Sequence, residues 1–175
     1  MSTRAFVLLR TTVVSSIFVS IWTWFVPRWF AGGDLHPRWT PLSLALLVVG
    51  GAIMLRCVFD FAWTGRGTPF PLDAPTRLVV RGPYRFVRNP MYLGMALFLI
   101  GESILLPDVR RQMLVLLAVL AAIVQAFILF YEEPTLRRLF GAEYDAYRRA
   151  VRRWIPRLRP FDIAGAAAVR STDLD

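Results

Sequence analysis

Four long apolar runs leave this chain few ways to fold. They cover residues 5–26, 41–63, 90–106 and 113–131. A helix needs about 20 mostly apolar residues to cross a hydrocarbon core roughly 30 Å thick. The third run is the shortest and would have to stand nearly upright. None of them alternates residue by residue, as the roughly ten-residue strands of a membrane barrel do. The pattern therefore predicts an all-α, polytopic membrane protein with four transmembrane helices. It forms a single domain over residues 1–160, followed by a flexible C-terminal tail, 161–175. Composition agrees, with 56% hydrophobic and only 19% charged residues, where a soluble domain carries nearer a quarter charged.

Charge gives the orientation. The net charge is +9, and all 21 basic residues are arginine. In a soluble chain that excess would suggest nucleic acid. Beside apolar spans it is read by position, because cytoplasmic loops collect the positive residues. The segment between the second and third runs carries Arg66, Arg77, Arg81, Arg85 and Arg88, and nine more arginines follow the fourth run. The other two connections hold two each, Arg28 and Arg38, then Arg110 and Arg111. The bias puts both termini and the 64–89 loop in the cytoplasm, in a bacterial inner membrane, with the bilayer as partner and no nucleic acid. The first run is longer than a signal-peptide core and contains Arg10, so it is expected to be a retained span. Cys57 is the only cysteine, which excludes an internal disulfide and a cysteine-based metal site.

Two segments depart from plain spans. Residues 65–75 hold three prolines and two glycines, which predicts an irregular loop, with a short extended piece at 78–80. The loop ends in Asn89-Pro90, a helix start with Asn as N-cap and Pro in the first helical position. Amide N–H groups exposed at such a start can receive a carboxylate. The other departure is Glu132-Glu133-Pro134, directly after the fourth run. Proline disfavours helical geometry at the residue before it, so the helix is expected to end or bend there. Acidic groups at a helix C-terminus oppose its dipole. Nearby arginines or a cationic ligand would relieve that conflict, and such conflicts are expected at functional sites.

In the C-terminal segment, Tyr144, Tyr147, Val151 and Trp154 share one face of a predicted helix, and Arg148, Arg149, Arg152 and Arg153 fill much of the rest. This is a basic amphipathic helix suited to an anionic surface or to covering the cytoplasmic ends of the spans. Within the spans, Arg56 and Asp60 are placed to pair at i,i+4. Glu102 is a lone intramembrane carboxylate. Gly50-Gly51 suggests a close helix contact, Cys57 reads as packing, and His36 as surface.

Together the two cytoplasmic segments resemble the isoprenylcysteine carboxyl methyltransferase family and the related phospholipid N-methyltransferases. That family's pattern is Gly-Pro-Tyr, then Arg-His-Pro-x-Tyr-x-Gly, then, one span later, Glu-Glu followed by Phe-Gly-x-x-Tyr-x-x-Tyr. Here it reads Gly82-Pro83-Tyr84, Arg88-Asn89-Pro90-Met91-Tyr92-Leu93-Gly94, Glu132-Glu133 and Phe140-Gly141 with Tyr144 and Tyr147. The likeness covers about residues 65–156. It implies an S-adenosylmethionine-dependent membrane methyltransferase acting on a lipid or membrane-dissolved carboxylate, thiol or amine. It also implies a cofactor site at Leu78, Val79, Tyr84, Arg88, Asn89, Pro90, Met91, Tyr92, Glu132 and Glu133, with no metal. No catalytic base is assigned. Asn89 stands where many members have His, which excludes a titrating base there. Ile128 stands where the eukaryotic carboxyl methyltransferases hold the substrate carboxylate with Arg. An NADPH-dependent sterol-reductase-like enzyme and a non-enzymatic membrane scaffold are the alternative readings.

Overall fold

The computed structural model describes residues 20–60 and 78–162. Among these, every regular element is helical. Residues 1–19, which take in most of the first apolar run, lie outside the described residues, as do residues 61–77 and those beyond 162. The chain divides into two compact units. The first takes residues up to 55 and 91–127, and the second takes 56–90 and everything from 128.

In the first unit a π-helical turn, Ile21–Phe25, leads into the short helix α1, Val26–Ala31, which ends on Gly32 in the left-handed conformation. Helix α2, Pro41–Asp60, starts at a reciprocal cap. The Ser43 amide donates to Thr40 Oγ1 at 3.1 Å, and the Thr40 amide donates to Ser43 Oγ at 3.0 Å. Such a pair satisfies two of the donors that every helix start leaves open. Helix α3 is Pro90–Leu105, and a 3-10 turn, Pro107–Val109, connects it to α4, Arg110–Phe127.

The expected glycine contact is real at Gly50. A Cβ there would lie 2.6 Å from the Gly94 carbonyl oxygen and 2.7 Å from the Phe98 amide nitrogen. Gly51 is looser, with only the Phe98 ring at 4.0 Å. Leu99, Leu106, Val109 and Met113 form the buried core of this unit, and Trp22 and Phe30 pack on it. His36 is exposed, and its backbone N–H donates to Asp108 at 3.0 Å. Glu102 is buried, and its Oε2 has no partner among the described residues.

Among the described residues two helices are long and apolar enough to cross a membrane, α2 and the continuous helix Pro107–Ala150; α3 is apolar but shorter. Their apolar faces are bare. Val48 is 60% exposed, Leu55 68% and Val119 50%. Apolar patches of this extent require a non-aqueous neighbour, here the bilayer.

The second unit differs from expectation in three places. The fourth apolar helix does not end at the glutamates. After Phe127 it widens into a π-turn, Ile128–Glu132, and continues as α5, Glu133–Ala150. Pro134 then occupies the first turn of α5, where a missing N–H costs nothing. The two carboxylates therefore stand within a continuous helix, at its π-turn, and not at a helix C-terminus. Residues 78–80, expected to be extended, carry no regular secondary structure.

Helix α5 is broken internally at Gly141, with φ 48° and ψ −123°. It stops at Ala150, so Val151 and Trp154 follow the helix and are not on it. The predicted face still buries Tyr144, Tyr147 and Val151, against Leu78, Val80, Leu136, Phe140 and Phe161 of the same unit.

Candidate active site

The 82–89 segment is held from both sides. Gly82–Arg85 forms a 3-10 turn, entered through Gly82 at φ +51°, where an added Cβ would run into the Asp60 carboxylate. Asp60, buried at the end of α2, accepts from Arg56 Nε at 3.1 Å, so the i,i+4 pair of the sequence exists. The Tyr84 hydroxyl donates to the Cys57 thiol. From the other side the C-terminal segment runs along residues 85–89. Arg157 N–H donates to Phe86 O at 2.9 Å and Phe161 N–H donates to Arg85 O at 2.9 Å. In return Arg88 N–H donates to Arg152 O at 2.9 Å, and Asn89 N–H to Arg153 O at 3.3 Å. The Tyr147 hydroxyl donates to the Tyr84 carbonyl at 2.7 Å.

These bonds assemble a small cavity of about 20 Å³ walled by Arg88, Asn89, Glu132 and Glu133 on its polar side, and by Ile128, Leu136, Tyr144 and Tyr147 elsewhere. Glu133 is saturated with cations. Arg153 grips it through Nε–H to Oε1 at 2.6 Å and Nη2–H to Oε2 at 2.9 Å, and Arg88 Nη1 donates to Oε1 at 2.9 Å. Arg88 Nη1 also donates to the Tyr144 hydroxyl at 3.2 Å. Burial opposes ionisation of Glu133, but the Arg153 hydrogen bonds and the Arg88 charge outweigh it and hold the carboxyl below its ordinary range. Two donors on this wall have no partner among the described residues: Arg88 Nε and Asn89 Nδ2. A buried donor left unpaired costs about 1–3 kcal/mol, so each is a place where a ligand acceptor is favoured.

Of the residues the sequence singled out, Arg88, Asn89, Glu132 and Glu133 meet at this cavity. Pro90 is buried beside Asn89. Leu78 packs against the Tyr144–Tyr147 cluster and Val79 is buried. Tyr84 is buried behind the wall, bonded to Cys57 and Tyr147. Met91 and Tyr92 are half-buried in the first unit. Sequence reasoning left Tyr144, Tyr147 and Arg153 out of the site. The Tyr-x-x-Tyr spacing pointed at the two tyrosines, but nothing in the sequence separated Arg153 from its arginine neighbours.

The π-turn places Glu132 and Glu133 on successive positions at the wall. Such turns are uncommon and are often found at functional sites. Exposed apolar helices together with a buried polar cavity define a membrane protein whose polar wall carries both N–H donors and carboxylates. The sequence model of the phospholipid methyltransferase family matches residues 39–143. The chain belongs to that family and is a membrane methyltransferase, in keeping with the wider group that includes the isoprenylcysteine enzymes. The match spans Asn89, Glu132 and Glu133 but stops short of Tyr144, Tyr147 and Arg153. No curated protein and no solved structure shows significant similarity to the chain.

Proposed function

We propose that this protein transfers a methyl group from S-adenosylmethionine to a lipid or membrane-dissolved acceptor, using the cavity at Arg88, Asn89 and Glu132. The observation that carries this reading is the pair of unpartnered buried donors, Arg88 Nε and Asn89 Nδ2, beside a carboxylate at the end of a π-turn. This donor set fits the amino-acid end of the cofactor. Two N–H donors match its carboxylate, and Glu132 matches its ammonium. Glu133 has a different task, holding Arg88 and Arg153 in place. Tyr144 and Tyr147 offer aromatic surface for the purine, and Leu78, Val79, Tyr84 and Pro90 support the wall from behind.

When bound, the cofactor supplies an electrophilic methyl on a sulfonium. The protein's part is to exclude water and to align the acceptor in line with that methyl. An ionised carboxylate or thiolate needs no base. An amine must lose its proton first, and Asn89 cannot take it. A cavity of about 20 Å³ holds about one water, whereas sites for cofactors run to hundreds of Å³. Binding therefore includes widening of this wall. The remaining reading is of four spans with both termini cytoplasmic, residues 1–160 acting as one domain.

The test is calorimetric binding of S-adenosylmethionine and of NADPH to detergent-purified protein, with Glu132→Gln and Asn89→Ala. Micromolar binding of S-adenosylmethionine alone, lost in Glu132→Gln and weakened about tenfold or more in Asn89→Ala, is the expected result. Binding of NADPH instead would replace this reading with the reductase one. Binding of neither to folded protein would leave a family member without the chemistry.

A further inference from the structure

A second concavity, which shares Glu133 with the cavity, takes no part in the proposed chemistry. It is an open groove of about 570 Å³ whose basic lining is Arg137, Arg138, Arg148 and Arg153, completed by Leu129, Pro134 and Glu133. Four guanidinium groups against one carboxylate give the lining a net charge of +3. Two of the four are already engaged, Arg153 by Glu133 and Arg137 by Asp145 at 3.3 Å. Arg138 and Arg148 are exposed and carry no salt bridge among the described residues.

Beside the groove's apolar lining residue Leu129 stands bare hydrocarbon. Phe130 is 82% exposed and Leu129 39%, and both stand at the end of the apolar helix. A ligand that fits is therefore anionic at one end and apolar at the other. Arginine forks suit phosphate oxygens in particular, through paired parallel hydrogen bonds.

We propose that this groove binds the phosphate of an anionic membrane lipid, with Arg138 and Arg148 as its principal ligands and the acyl chains along Leu129 and Phe130. The site is separate from the one that would hold the methyl donor, and it does not depend on the identity of the acceptor. Anionic headgroups near a membrane surface attract basic residues at about 1 kcal/mol each, so losing both arginines should weaken binding by about tenfold or more.

The experiment is thermal unfolding of the full chain in detergent, titrated separately with phosphatidylglycerol, phosphatidylcholine and inorganic phosphate. Phosphatidylglycerol should raise Tm saturably, and the other two should not. Arg138→Ala/Arg148→Ala should keep the parent's Tm without lipid and need about tenfold more phosphatidylglycerol for the same shift. Arg149→Ala/Arg152→Ala, which removes two arginines outside the groove, should respond as the parent does. Should the first double variant fail to fold, Arg138→Ala alone is read the same way, with a smaller shift in midpoint. The proposal falls if the groove variant responds like the parent, or if the control variant loses as much, which would mean a generic charge effect. An equal response to phosphatidylcholine also overturns it. A shift reproduced by inorganic phosphate would make it a free-anion site and not a lipid one.

Discussion

Glu133 accepts from Arg153 at both carboxylate oxygens, at 2.6 and 2.9 Å, while Arg88 also donates to Oε1, at 2.9 Å. One side chain thus ties three pieces of chain: the loop at 88, the start of α5 and the segment after Ala150. Removing one partner of a buried ion network leaves the others desolvated and unpaired, at about 3–5 kcal/mol. Glu133→Ala should therefore unfold at clearly lower temperature than the parent. Glu132→Gln should stay within a few degrees of the parent while losing the cofactor. Thermal unfolding in detergent, run beside the binding assay, separates the two glutamates; equal stabilities would remove the structural role given to Glu133.

The same network sets a pH dependence. Burial pushes the Glu133 carboxyl up, but the Arg153 hydrogen bonds and the Arg88 charge carry it below its ordinary value. A group with a depressed folded pKa contributes stability in full above its unfolded value, about 4.3 for Glu. That contribution falls as pH drops below this value, and is gone once pH passes below the folded value. Tm of the parent should hold near neutrality and decline in acid, and Glu133→Gln should decline less steeply over the same range. Parallel curves for the two proteins would show that other carboxylates govern acid unfolding.

Much of the spatial arrangement was legible in the sequence, and what was missed has identifiable causes. Apolar run length located α2, α3 and α4 to within a few residues, because burial in lipid demands length and little else. The Arg56–Asp60 pair followed from helix spacing, and the Gly50 contact from two adjacent small residues in an apolar helix. At the glutamates the sequence leaves open whether the helix ends or bends, because a proline alone does not decide between them. A π-turn widens the helix just before it, and Pro134 falls in the first turn of the next segment, where no N–H is missed. Arg153 could not be picked out of a run of arginines, since its partner Glu133 is 20 positions away and only tertiary folding brings them together. Trp154 was placed on a helical face that ends four residues earlier, because periodicity alone does not show where a helix stops.

Three tyrosines surround the site, and none is available as a base near neutral pH. Burial raises the Tyr84 hydroxyl well above its ordinary value, with Cys57 adding to it. Burial and the Glu133 charge push Tyr144 up to about 12, and burial raises Tyr147 as well. With Asn89 unable to titrate, we assign a rise of rate with pH near neutrality to the acceptor. For an amine acceptor we predict a limb that tracks the amine's own pKa when amines of different basicity are compared. Tyr144→Phe should change its height and leave its midpoint unmoved. A midpoint that stays fixed across amines would point to a protein group instead.

Gly82 and Gly141 both have positive φ, at 51° and 48°, and differ in what surrounds them. At Gly82 a Cβ would meet the Asp60 carboxylate and lie 3.1 Å from Arg56 Nε, so an alanine adds a steric conflict to backbone strain. At Gly141 nothing lies within 4 Å of the added carbon, so the penalty is the backbone alone. A side chain forced into a region open mainly to glycine costs of order 1–3 kcal/mol. Gly141→Ala should therefore destabilise by about that amount and leave the Arg56–Asp60 pair undisturbed. Gly82→Ala should cost more, because the carboxylate must move out of its buried position. Replacing Asp60 as well, in Gly82→Ala/Asp60→Ala, removes the obstacle, so the second alanine should cost less in that background than in the parent. If the two substitutions are additive in thermal unfolding, the Gly82 turn is not braced by Asp60 and is held by its backbone conformation alone.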